Sequence, residues 1–382
     1  MISARLFSLA RAPLAVFAAM GVVWGGFAAE LPDTKAMLGV DESALGLLLF
    51  MTPLAAVTAM LVAPWLGARL GRVALPVASL SMAAAFVLPG QVGATVWLFP
   101  LAMMACGAAT GLSDVLMNAR VADLEGRSGL HMMNLCHAGY SFGYAGGAVL
   151  VGGMRDMGWP PSAVLGAVGL LAGALSLLSF EADGRIGGLA RPKDRAAGRL
   201  GLLPLLGGAM VLIAFLTENA AENWSALHIE KTLGGSPAHG AMGPAVLALT
   251  MGVARLVGQG MVARINPLRL LTLGAAVSAT GALIAGGAVS PAMAYAGFVV
   301  MGVGSSVIAP TTFSLVATRA APQARARAVA RATLYGYFGY CVGPPLFGYI
   351  AGHLGLRLAF VAAAMMLVFV PVLARLIGRI RT

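Results

Sequence analysis

The chain is 382 residues long, 59% hydrophobic and 10% charged, with a mean hydropathy of +0.88. Apolar stretches of about twenty residues recur along it, each able to cross the roughly 30 Å hydrocarbon core as a helix, so the sequence reads as an integral membrane protein. The formal charge of +11 sits in short segments between those stretches, a pattern that orients a chain in a membrane and excludes a nucleic-acid surface.

Taken in chain order, the spans fall near 12–31, 43–65, 73–90, 95–117, 131–152, 160–180, 201–221, 240–262, 267–288, 292–317, 329–351 and 356–377. They predict an all-α membrane protein with twelve transmembrane helices. The first span has features of a signal peptide, with Arg5 and Arg11 before it and the small residues Ala28 and Ala29 near its end. A later counterpart assigns it instead to the membrane as a permanent helix. With the N-terminus inside, the outer segments hold only Lys35, Arg155, Lys231 and Arg357, Arg255 falls within a span, and every other basic residue is internal. A multi-pass protein of the bacterial inner membrane with both termini cytoplasmic is the expectation. Cys106, Cys136 and Cys341 all fall inside spans without CxxC spacing, which points away from a disulfide framework or a structural zinc site.

An internal repeat organises the chain. GYSFGYAGGAVLVGGMRDMG (139–158) aligns without gaps on GYFGYCVGPPLFGYIAGHLG (336–355), and KAMLGVDES (35–43) corresponds to KTLGGSP (231–237). Residues 181–200, rich in Gly and Arg, form the natural cytoplasmic linker between a half at 1–180 and a half at 201–382. Two parallel six-helix repeats joined in this way resemble the major facilitator superfamily, a resemblance that implies a substrate site near the midplane between the halves. The stretch PWLGARLGR (64–72) resembles the superfamily's G-x-L-x-D-R-x-G-R loop at Leu66, Arg69, Gly71 and Arg72, but Pro64 replaces its glycine and Ala68 its aspartate. GLSDVLMNA (111–119) and ENWSALHIEKTLGG (222–235) look like a bacterial subgroup that includes riboflavin importers and copper importers for cytochrome oxidase assembly.

Candidate site residues follow from what does not belong in lipid. TENAAENWSALHIE (217–230) places Glu218 and Glu222 one turn apart on one helix face, with Asn219 and Asn223 beside them. A carboxylate inside the lipid boundary costs several kcal/mol unless it faces a cavity or a partner. Glu218 is therefore a candidate proton-titrating or substrate-binding group, whereas His228 and Glu230 are expected in water beyond the helix end. Trp24 and Glu30 lie at related depths, and Ser305, Ser306, Thr311 and Thr312 surround Pro310. All tyrosines except Tyr295 fall in the symmetry-related spans 131–152 and 329–351. Such clustering suits a cavity that stacks on a flat ligand and bonds its edges, with Trp24, Tyr140, Asn219 and Tyr337 as the substrate-binding candidates. Helix packing alone would produce the same concentration.

The superfamily resemblance implies a cytoplasmic gate, and the missing acid at Ala68 directs it to Asp114 with Arg255, or locally to Asp114 with Arg69 or Arg72. No HExxH, GxSxG or Walker motif is present, so an enzyme is not expected, and any energy source should be a gradient. The expected assembly is a monomer in lipid with a small-molecule substrate and no cofactor. For the cargo, HMMNLCH (131–137) offers Met133, Cys136 and His137 as a soft set suited to Cu(I). The resemblance implies M-x-x-x-M and H-x-x-x-M in the spans at 201–221 and 240–262 for a copper importer. Here Met210 precedes Ala214, and His239 precedes Gly243. These departures favour an organic substrate, riboflavin first, with copper import and export of small organic compounds as the alternatives.

Overall fold

The structure is a computed structural model that describes residues 4–189, 200–262, 265–321 and 324–379. Within the predicted linker, 190–199 lie outside the described residues, as do Arg264 and Arg381. Every regular element among the described residues is helical. In chain order they are α1 (Ala4–Leu38), α2 (Glu42–Leu49), α3 (Met51–Leu70), α4 (Ala74–Ala85), α5 (Leu88–Gln91), α6 (Phe99–Ser128), α7 (Met133–Asp156), α8 (Pro161–Leu177), α9 (Leu203–Leu227), α10 (Pro237–Val262), α11 (Pro267–Gly286), α12 (Pro291–Arg319), α13 (Arg325–Leu354), α14 (Leu356–Leu367) and α15 (Phe369–Arg379). Among the described residues, 8 helices or joined helical runs are long and apolar enough to cross a membrane. The longest, Glu42–Gln91, has 50 residues and would measure about 75 Å if straight, more than twice the hydrocarbon thickness. It is broken at Phe50 and at the 3-10 turn Gly71–Val73, where Gly71 takes φ +61°, a conformation that glycine adopts without steric cost.

The described residues separate into two compact units. Unit 1 comprises Met1–Val40, Leu48–Pro192 and Ser236–Gly252. In it α1 packs along α7 and α8, α3 along α6, and α4 against both α6 and α8. The α1–α7 seam is backbone against backbone. A Cβ at Gly21 or Gly25 would overlap main-chain atoms of Tyr140 or Tyr144, and one at Gly143 or Gly147 would overlap the carbonyls of Ala18 or Val22. Local signals set the helix limits here: α6 and α8 each carry proline in the first turn, and α6 stops at Gly129, whose φ of +70° closes it with a bond to the Glu125 carbonyl.

Unit 2 comprises Asp41–Leu47, Lys193–Gly235 and Val253–Thr382. Here α9 packs along α13, α11 along α12, and α14 and α15 cover α11 and α9. Its buried core includes Met210, Ala214, Leu271, Ile308, Val316 and Ile377. Asn266 and Ser290 cap α11 and α12 by accepting from the Leu268 and Met293 amides, with proline following each cap, a reliable start signal. The short segment 41–47 belongs to this unit: Glu42 pairs with Lys231 at 3.0 Å and Ser43 Oγ reaches the Gly348 carbonyl at 3.4 Å.

Candidate functional site

The helix that bears the acidic stretch runs further than sequence alone places it. Expected to stop near residue 221, α9 continues to Leu227 and passes into a π-helical turn, His228–Thr232. The physical reason is apolar burial beyond the acidic pair, since Trp224, Ala226, Leu227 and Ile229 are all fully buried. The expectation for His228 is corrected accordingly. It is buried, not solvated, with Nε2 3.0 Å from the Ala285 carbonyl and its ring 5.1 Å from Phe360. Glu230 is half-buried.

On this longer helix Glu218 and Glu222 stay on one face and are both half-buried, while Asn219 is buried and accepts at Oδ1 from Asn223 Nδ2 at 3.1 Å. Arg255 supplies the positive charge that acts on both carboxylates. Its position has a backbone cause. Pro310 has no N–H, which leaves the carbonyl four residues earlier, Ser306, without its helical donor. Arg255 Nε donates to that oxygen over a long 3.5 Å. One arginine, two carboxylates and two amides thus gather in unit 2 with a formal charge of −1 when both acids are ionised.

The aromatic candidates form one cluster in each unit. In unit 1 the Trp24 ring meets Phe86 edge-on at 4.9 Å, and Trp24 and Tyr140 pack around Ala28, Tyr144 and Ala248. Tyr140 and Tyr144 are themselves 5.9 Å apart. In unit 2 Phe215 stacks on Tyr340 at 4.8 Å and meets Tyr337 at 5.8 Å. Asn219 belongs to this second neighbourhood, since its Oδ1 lies 2.7 Å from where a Cβ at Gly343 would stand.

A buried charge group in unit 1 escaped the sequence reading. Arg155, on α7, forms a two-pronged pair with Asp33 at 2.8 Å for each prong, donates to the Ala29 carbonyl at 2.8 Å, and lies 3.8 Å from the fully buried Glu30. The sequence signal was present but divided: acids close to the end of one span and an arginine close to the end of another. At the other end of unit 1, Arg120 is 3% exposed and holds Glu181 at 2.9 Å, Asp123 at 3.2 Å and the carbonyls of Asp183 and Arg185 at 2.6 and 3.1 Å. Burial pushes the Glu181 carboxyl above the usual carboxylate range, with Arg120 pulling the other way.

The remaining candidates of unit 1 have the following contacts. Asp114 accepts from Asn118 Nδ2 at 3.1 Å, and Arg69 stacks over the Trp65 ring at 4.2 Å. Arg72 is exposed just beyond α3. Of the soft-ligand set, Cys136 is fully buried, whereas His137 is exposed and meets the Phe17 ring at 4.9 Å. Met133, half-buried, shares the His137 face, so thiol and imidazole point to different surroundings. Among the described residues no three His, Cys, Asp or Glu side chains gather where they could hold a metal ion.

Apolar helices long enough to cross a membrane, with charge clusters held inside each unit, make this a polytopic membrane protein. Residues 208–381 match the family model described as Major Facilitator Superfamily. Over 377 residues the chain is 31% identical to an uncharacterized MFS-type transporter of Yersinia pestis, a match covering 96% of this chain and 94% of that relative. It is 26% identical over 339 residues to the membrane protein MosC of Rhizobium meliloti, covering 88% of this chain and 82% of MosC. Among solved structures, a bacterial homolog of the human lysosomal transporter Spinster matches with a TM-score of 0.76 at 15% identity, covering 98% and 97% of the two chains. The nucleoside transporter NupG matches with a TM-score of 0.76 at 14% identity, covering 97% and 100%. The chain belongs to the major facilitator superfamily and is a membrane transporter of that type.

Proposed function

We propose that this chain is a secondary active transporter of the bacterial inner membrane that imports a small organic molecule, with twelve spans in two six-helix repeats and both termini in the cytoplasm. The observation that carries the reading is the Glu218–Glu222–Arg255 group. Charged side chains in a membrane span are costly enough that they persist chiefly where they bind or move charge. Two acids against one arginine leave a negative charge that a single proton cancels, so the pair fits a proton-coupled cycle. The repeat is supported by packing: Gly139 abuts Leu14 and Gly336 abuts Val211, two contacts related by the same offset in sequence.

Riboflavin is the first substrate to test, because the two aromatic clusters offer faces for a flat ring and Asn219 offers an amide for its edge. Copper is second, since Cys136 and His137 diverge. The deciding measurement is uptake of labelled riboflavin and of copper by the same cells with and without the protein. Riboflavin uptake that depends on the protein and falls in Glu218→Gln supports the assignment; protein-dependent copper uptake without riboflavin uptake overturns it.

A further inference from the structure

Outside the charged groups, unit 1 carries a groove of about 650 Å³ between α3, α4 and α6, lined by small and apolar side chains that include Ala59, Val62, Leu66, Ala84, Ala105 and Ala108. Ser81 also lines it, but its hydroxyl is occupied by the Val77 carbonyl at 2.7 Å. The α3 wall has a direction. Ala59, Val62 and Leu66 follow helical spacing, and the next position on that stripe is Arg69. From Ala59 to Arg69 the helix rises about 15 Å, half of the roughly 30 Å hydrocarbon core. The α3 lining itself ends at Leu66, and Arg69 stands about one turn beyond it, so the groove and the basic position together span about one leaflet.

The chemistry of that rim selects an occupant. Arg69 and Arg72 are both exposed, and residues 64–73 contain no acid, since Ala68 stands where the loop pattern places aspartate. Trp65 is 54% exposed and lies beneath the Arg69 guanidinium at 4.2 Å. An indole at the end of a span marks the headgroup level, and a cation stacked on it is held in place there while its N–H groups stay available. We infer that this groove is a binding site for one anionic phospholipid, with an acyl chain between α3, α4 and α6 and the phosphate at Arg69, Arg72 lending further positive charge. The inference stands whatever the transported substrate is.

The test is native mass spectrometry of the full chain exchanged into mixed micelles of phosphatidylglycerol and phosphatidylethanolamine. The wild-type protein should retain phosphatidylglycerol several-fold more than phosphatidylethanolamine. Arg69→Gln should abolish that preference and Arg69→Lys should keep most of it. Ala84→Leu combined with Ala108→Leu should lower retention of both lipids by filling the groove. Equal retention of the two lipids by the wild type, or an unchanged preference in Arg69→Gln, overturns the site. A protein dimer that replaces lipid and is lost in the filled-groove variant also overturns it, in favour of a second copy. If the double variant does not fold, the Gln-against-Lys comparison at residue 69 decides alone.

Discussion

The α1–α7 pair of unit 1 and the α9–α13 pair of unit 2 stand at the same offset in sequence yet close in different ways. In α1–α7, glycines on both helices bring main chains together, and Arg155 clamps the end of the seam to Asp33 and the Ala29 carbonyl. In α9–α13, side chains occupy most of the seam: Gly208 meets the Tyr335 ring, Gly336 meets the Val211 side chain and Gly343 meets the Asn219 amide, with Gly339 alone against the Leu212 carbonyl. At the offset that relates Leu14 to Val211, Gly21 and Gly25 correspond to Glu218 and Glu222. The difference teaches where each pair spends its tolerance. One uses those positions for close approach and rigidity, and the other uses them for charge.

The comparison breaks most severely at the glycine seam. Gly25→Leu forces a side chain into the Tyr144 backbone, which cannot yield as a flexible side chain would. Overpacking typically costs roughly 1–3 kcal/mol, and a backbone obstacle puts this case at or beyond the upper end. The expected result is little folded protein in the membrane, read by fluorescence-detected size exclusion, whereas Gly343→Ala in unit 2 should fold because an amide side chain can give way.

Arg155→Ala is the next largest. It leaves Glu30 and Asp33 without their clamp, and removing one partner of a buried pair costs about 3–5 kcal/mol. Asp33 is 38% exposed at its side chain, so water recovers part of that loss. Arg155→Lys should rescue only partly, because an ammonium cannot reproduce the two-pronged geometry. Thermal melting of the purified protein reads both variants, and equal melting of wild type and Arg155→Ala would end the clamp assignment.

Much of this was legible in the sequence, for reasons that differ by residue. The helical, membrane-spanning character was legible because apolar length is a local property, and the recurrence of glycine and tyrosine in the same order on α7 and α13 is a sequence pattern that needs no structure to be seen. The end of α9 was not legible: His228 and Glu230 look like a solvated tail until Trp224, Leu227 and Ile229 are seen to be buried. Nor was the Arg155 group, whose members lie on different helices, or the tie between Arg255 and the carbonyl that Pro310 frees.

Glu218 and Glu222 sharpen the comparison in function rather than stability. Glu218→Gln and Glu222→Gln keep side-chain shape and each remove one negative charge, so membrane yield should match the wild type while transport falls by about tenfold or more, the scale of a lost charge-assisted contact. Steeper loss in Glu218→Gln together with a flattened pH profile would assign the coupling proton to that residue. Wild-type rates and pH dependence in both variants would remove the acidic pair from the mechanism.

The smallest expected effect tests whether unit 1 is braced at its Arg120 end as well. Arg120 binds Glu181, Asp123 and two carbonyls of the segment that follows α8, so Arg120→Ala should loosen that segment and expose it to protease. Glu181→Gln is predicted to be milder, about 1 kcal/mol or less, because an amide oxygen still accepts from the guanidinium. The pH dependence separates the two roles of Glu181. Its folded-state value is raised above the ordinary 4.5 by burial, so the folded protein holds this proton more tightly than the unfolded chain does. The stabilisation from that proton is complete below 4.5 and is lost as pH rises through the raised value. Melting temperature should therefore fall more between pH 4.5 and 7 in the wild type than in Glu181→Gln, after other groups common to both proteins are subtracted. Parallel curves would mean that the Arg120 pairing, and not burial, governs this carboxyl, and that the Arg120 end of unit 1 is held as an ordinary ion pair.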